Sequence, residues 1–179
     1  ELTDDNFYGV IFRPATVCGY SPRQRLDLSV NILTNFAVNK KFIKVFGGDQ
    51  LRPNLHILDY CDVVELLINA DKEKIRNQIF NVGYQNLSIL EIAQKVKKVV
   101  QNEFPKIGEI NIEMHESDDK RSYHINSDKI KTILNFQPNH SIEDAISELC
   151  SAFKNNLLPN SFDNDNYFNV KKLQNLRVK

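Results

Sequence analysis

Short runs of apolar, β-branched and aromatic residues alternate along this chain with stretches whose apolar residues recur at helical spacing, and few folds accommodate that alternation. YGVIF at 8–12 reads as a buried strand running into Arg13–Pro14. Pro14 ends it, and Gly19 and Pro22 mark a loop. Leu28, Ile32, Leu33, Phe36 and Ala37 predict a helix over 28–40. FIKVF at 42–46 follows as a strand closed by the turn Gly47–Gly48–Asp49, and Asn54–Ile57 predicts another short strand. Asp59 reads as the N-cap of a helix reaching residue 70, with Asp62 near its positive end. Val63, Val64, Leu66, Leu67 and Ile68 make that helix apolar nearly all round, which predicts burial.

The second half repeats the pattern. QIFNVG at 78–83 is a strand ended by Gly83, and Ser88-x-x-Glu91 is a capping box with Ile89, Ile92, Ala93, Val96, Val99 and Val100 as a core stripe behind it. EINIEM at 109–114 alternates with period two, Ser127 is placed to cap a helix over 128–135, and Ser141-x-x-Asp144 opens a last helix to about residue 155. Beyond Leu158 the composition turns to Asn, Asp and Lys, a peripheral tail that Tyr167, Phe168 and Leu173 are able to dock. Strands alternating with helices give a mixed α/β domain, not a bundle or an all-β fold.

Charge and composition remove several functions. The chain of 179 residues balances 23 Lys and Arg against 23 Asp and Glu, which argues against a nucleic-acid partner held by bulk charge. No apolar run approaches a membrane span and no leader-like start is visible, so the expectation is a cytoplasmic protein without membrane contact. Three cysteines without a C-x-x-C pair predict reduced thiols and neither a disulfide framework nor a zinc site. The four histidines show no metal-ligand spacing, so no metal is expected. The six glycines form no G-x-G-x-x-G fingerprint and no P-loop.

Five ordered blocks carry a resemblance. They are RPATVCGYSPRQRLD at 13–27, VFGGDQLRPNLHILD at 45–59, IFNVG at 79–83, DKRSYHINSDKI at 119–130, and LNFQP at 134–138. Together, over about residues 7–153, they resemble the C-terminal portion of extended short-chain dehydrogenases/reductases of the NAD-dependent nucleotide-sugar epimerase/dehydratase family. The resemblance implies the edge of a doubly wound Rossmann-type sheet (1–19 and 56–83), a small mixed α/β substrate-binding lobe (20–55 and 84–155) and a polar tail (156–179), with the N-terminal half of the family fold absent. The family's glycine-rich NAD loop and Tyr-x-x-x-Lys pair lie upstream of the R-P strand. The one Tyr-x-x-x-Lys here, Tyr167 to Lys171, follows every block it should precede, so no catalytic residue is assigned and the chain is expected to be inactive alone.

The same resemblance implies the sites. Arg13, Pro14, Thr16 and Cys18 would face NAD, with Cys18 standing where the family often has an aromatic residue. Arg52, on a loop between strand-like segments, would hold the diphosphate of a nucleotide-diphosphate sugar with a guanidinium fork; a surface salt bridge is the alternative. Asn81 and Arg121 would join it, against the alternatives of a turn-shaping amide and a solvated charge. Arg23 and Arg25 either line the sugar pocket or are simply solvated. Two further functions stay open: a free-standing nucleotide-sugar binding module, and a structural partner domain that associates through an exposed sheet edge, its own copy being one such partner.

Overall fold

A computed structural model of the protein describes residues 7, 9–119 and 121–176. In chain order its elements are β1 (Ile11–Pro14), β2 (Thr16–Cys18), α1 (Ser29–Lys40), β3 (Phe42–Phe46), β4 (Leu51–His56), α2 (Ile57–Asn69), α3 (Lys72–Ile75), β5 (Ile79–Val82), β6 (Gln85–Ser88), α4 (Ile89–Glu103), β7 (Asn111–His115), α5 (Asp128–Leu134), α6 (Ile142–Lys154), a 3-10 turn (Asp165–Tyr167) and α7 (Asn169–Asn175). The fold class is α/β. The expected first strand begins at Ile11; Tyr8 lies outside the described residues.

Three small sheets carry the strands. β1 pairs in parallel with β5, placing Ile11 beside Ile79 and Arg13 beside Asn81. β2 runs parallel to β4, and β6 closes that sheet antiparallel to β4. β3 and β7 form the third, parallel pair. Alternation along FIKVF turns Ile43 and Val45 into the core and leaves Phe42, Lys44 and Phe46 on the other face. One apolar core joins α1, β3, α4 and α6 through Val30, Ala37, Ile43, Val45, Ile92, Val96, Ala145 and Ile146. A second joins β5, α2 and α5 through Val63, Leu67, Phe80, Val82, Ile130 and Phe136.

The expected capping box of Ser88 with Glu91 forms, and Ser141, which opens the last helix, makes a second box with Asp144. Three local expectations are corrected. The N-cap of α2 is His56, whose ring Nδ1 accepts the amide of Leu58 at 3.1 Å. Asp59 lies inside the first turn, fully buried, and accepts the backbone amides of Asn139 and His140, at 2.9 and 3.1 Å. α2 buries Asp59, Val63 and Leu67 and leaves Leu58 and Ile68 in solvent, because it packs on one side alone. Ser127 precedes α5 without capping it: its hydroxyl donates to the Gly83 carbonyl and accepts the Gly83 amide.

Up to residue 176 the polar tail packs against the body. Leu158 and Ser161 are buried, and Ser161 exchanges hydrogen bonds with Asn35 of α1. Tyr167 packs beside Tyr20, whereas Leu173 faces solvent.

Candidate functional site

Two cavities flank the start of α1. The first, about 410 Å³, is lined by Ser29, Ile32, Leu33 and Phe36 of α1, by Lys44 and Phe46 of β3, and by Gln50, Arg52, Ile89, Ser117 and Asp119. The floor is apolar because α1 turns Ile32, Leu33 and Phe36 toward β3, whose outward alternation presents Phe46 and Lys44. Phe46 is backed by His115, their rings stacked 5.2 Å apart. Gln50 is wholly engaged in shaping the turn: its Oε1 accepts the Gly48 amide and its Nε2 donates to the carbonyls of Asp119 and Phe46.

Arg52 sits at the polar end of this cavity. Its Nη1 donates to the carbonyls of Leu51 and Arg121, and its Nη2 lies 3.5 Å from Asp119 Oδ2. Asp119 in turn receives both prongs of the Arg121 fork, at 2.8 and 2.7 Å. Hydrogen bonds from Arg121 hold the Asp119 carboxyl far below the usual carboxylate range, and the same pair raises the Arg121 guanidinium. Arg52 and Arg121 therefore meet at one carboxylate, but Arg121 stands on the outer side with its side chain 83% exposed and is not part of the cavity wall.

The second cavity, also about 410 Å³, collects most of the other predicted residues. Pro14, Thr16 and Cys18 line it together with Gly19, Ser21, Arg23, Gln24, Arg25, Leu28, Asn31, Ile57 and Tyr60. The loop after β2 is pinned from beneath. Asn31 accepts the Gly19 amide and donates to the Arg25 carbonyl, and Gln24 bonds Ser21, Gly19 and Arg25. Gly19 has φ +105° and lies against His56 and Glu148, a position that refuses a side chain. Arg25 forks onto Asp27 at 2.9 and 3.1 Å, and Arg23 donates to Asn169 Oδ1 at 2.8 Å. The Cys18 thiol is buried and donates to the Leu55 carbonyl; burial pushes it up to about 12, which removes it as a nucleophile.

Leu28 lines one cavity and Ser29 the other, so consecutive residues at the N-terminus of α1 belong to the two walls, which share no residue. Arg13 and Asn81 belong to neither. They are exposed neighbours across the β1–β5 pair, and Asn81 does not join Arg52 in its cavity. The residues that sequence reasoning missed include Lys44, Phe46, Ser29 and Ser117. The period-two alternation of FIKVF was the available signal for the first two.

Among the described residues, no group of three or more His, Cys, Asp or Glu side chains is placed to hold a metal, and no helix is long and apolar enough to cross a membrane. A model of the NAD dependent epimerase/dehydratase family matches residues 3–83. Over those residues the chain resembles the NAD-dependent epimerases and dehydratases. Solved structures extend the likeness of fold beyond the matched residues. UDP-glucuronic acid 4-epimerase from Bacillus cereus, in complex with UDP-glucuronic acid and NAD, is 24% identical with TM-score 0.67, covering 82% of this chain and 45% of the epimerase. ADP-L-glycero-D-manno-heptose-6-epimerase of Helicobacter pylori is 21% identical with TM-score 0.67, covering 84% and 46%. dTDP-glucose 4,6-dehydratase from Bacillus anthracis, in complex with NAD, is 19% identical with TM-score 0.64, covering 81% and 44%. The chain thus spans a little under half the length of the epimerases and dehydratases it matches.

Proposed function

We propose that this chain binds a nucleoside-diphosphate sugar, the base in the first cavity, the diphosphate at Arg52 and the sugar directed past the start of α1 into the second cavity. The observation that carries this reading is the placement of the consecutive residues Leu28 and Ser29 in the walls of the two cavities, with Arg52 on the wall of the first. A planar base is largely apolar on its faces and suits the floor of Phe46, Phe36, Ile32 and Leu33. A diphosphate suits a guanidinium fork beside the unpaired amides of a helix N-terminus. Arg23 and Arg25 then stand over the sugar.

The resemblance to NAD-dependent epimerases and dehydratases supports a sugar-nucleotide epimerase or dehydratase as the wider activity, with hydride transfer supplied by NAD when it is bound. Pro14 and Thr16 offer an open wall against which a nicotinamide ring can lie. The described residues contain no glycine-rich strand-to-helix turn to cradle the pyrophosphate. This chain's own residues contribute binding and orientation of the sugar nucleotide.

Titration calorimetry with UDP, dTDP and ADP tests the reading. At least one is expected to bind with one-to-one stoichiometry and more weakly to an Arg52→Ala variant. Absence of binding by all three at millimolar concentration overturns it.

A further inference from the structure

Resting on that reading, we infer that the C-terminal segment from Ser161 to Asn175 is a strap that sets the sugar end of the site, with Asn169 as its positioning residue. The loop between β2 and α1 contributes Gly19, Ser21, Arg23, Gln24 and Arg25 to the second cavity. Asn31 and Gln24 hold the start of this loop from the core side. Its outer half, which carries the two guanidinium groups, is held by the tail.

Asn169 touches both halves of that arrangement. Its Oδ1 accepts from Arg23 Nη2 at 2.8 Å, across 146 residues of sequence. Its backbone amide donates to Asp27 Oδ2 at 3.1 Å, on the carboxylate that also receives the Arg25 fork. The Leu26 amide, between them, donates to the Tyr167 carbonyl at 2.9 Å. One residue of α7 thereby orients Arg23 directly and Arg25 through Asp27.

The strap is seated independently of those contacts. Ser161 is buried on Asn35 of α1, and Phe162 meets Phe36 edge to face at 5.0 Å. Phe36 itself lines the first cavity, so the segment that steadies the base end also fixes the sugar end. The partners differ in charge. Arg25 faces a carboxylate, whereas Arg23 faces a neutral amide.

The test compares the full chain with Asn169→Ala and Asn169→Asp, the second keeping an acceptor oxygen for Arg23. Each is titrated with the nucleoside diphosphate that binds among UDP, dTDP and ADP, and with its glucose conjugate. Amide exchange over residues 21–27 is followed in parallel. Asn169→Ala is expected to bind the nucleoside diphosphate as the parent chain does and the glucose conjugate roughly 3–10-fold more weakly. It should also exchange the Leu26 amide faster, and Asn169→Asp should restore both. Equal binding of the conjugate by Asn169→Ala and the parent chain, or equal weakening of both ligands, overturns the positioning role while the binding reading stands. A parent chain that binds no nucleoside diphosphate overturns the reading and this role with it.

Discussion

His56 and His140 stack with ring centroids 4.8 Å apart and planes 27° from parallel, yet the protein moves their basicities in opposite directions. Burial lowers His56, whose ring is closed off from solvent and whose Nδ1 is already committed to the Leu58 amide. Its Nε2 lies 3.2 Å from Glu148 Oε2 but off the line of a hydrogen bond. His140 is raised, first by its hydrogen bond to Asp59 at 2.9 Å, with Asp144 and Asp62 adding to it. The pair ties the start of α2 to the loop that leads into α6.

Opposite shifts place a stability maximum between them. Below about pH 6.5 an unfolded histidine takes up a proton that folded His56 resists. Stability therefore falls as pH drops from that value through the lowered one of His56. The contribution of His140 is complete below about pH 6.5 and is lost as pH rises through its raised folded value. Urea midpoints measured between about pH 5 and pH 9 should peak near the ordinary histidine value. His140→Ala should flatten the alkaline limb and shorten the acid limb only in part, since burial is the first cause that lowers His56 and the charge on His140 a smaller one. An alkaline limb that survives the substitution would assign it to another group.

Gly83 is predicted to tolerate no side chain, for reasons of space and not of backbone angle. A Cβ built there meets Ile125 Cγ2 at 2.1 Å and Ala15 Cβ at 3.1 Å. The backbone cannot back away, since the Gly83 amide and carbonyl are both clamped by Ser127 Oγ at 2.8 and 3.0 Å. Gly83→Ala should cost about 1–3 kcal/mol in denaturant unfolding. In a double-mutant cycle with Ile125→Ala the combined loss should be smaller than the sum of the two. Strict additivity would show that the clash is relieved elsewhere.

What was legible in the sequence was local or periodic. The capping boxes at Ser88 and Ser141 formed because each needs residues three apart and nothing more. The strand FIKVF and the stripe of α4 followed from alternation and from helical spacing. β2 and β6 are short and weakly patterned, so no periodicity announces TVC or QNLS; pairing with β4 makes them strands. Asp59 has the composition of a cap, but its partners Asn139 and His140 are about 80 residues away, a relation no local pattern encodes. The tail reads as solvated for the same reason: Tyr167 and Asn169 hold the loop after β2 largely through backbone groups. In the site, Arg52 reached a cavity wall, whereas Asn81 followed β5 to the side of Arg13.

Arg52→Ala is expected to weaken a bound nucleoside diphosphate by roughly 10–100-fold, the value of one or two charge-assisted hydrogen bonds. Binding of free glucose should not change. Arg121→Ala should have a smaller effect, because its fork is spent on Asp119 and Arg121 itself is not part of the cavity wall. Calorimetry with both ligands separates the cases: an equal loss for sugar and diphosphate would mean that Arg52 acts by holding the Arg121 carbonyl and the fold around it.

Self-association through the β1–β5 pair is the remaining expectation. Ile11 and Ile79 are register partners on one face of this two-stranded parallel sheet, and they are 54% and 39% exposed. Parallel strands are ordinarily covered on both faces, and an open edge presents unpaired amides and carbonyls to any strand of matching pattern. Leu58 and Ile68 of α2 add further exposed apolar surface. Light scattering should show a mass that rises with protein concentration, and Ile79→Lys should shift the chain toward monomer, since a charge on an edge strand opposes pairing. The variant should keep its fold, because the Ile79 side chain lies on the exposed face while Phe80 and Val82 hold β5 to the core. A parent chain whose mass stays that of one copy at every concentration would show that this edge does not recruit a partner.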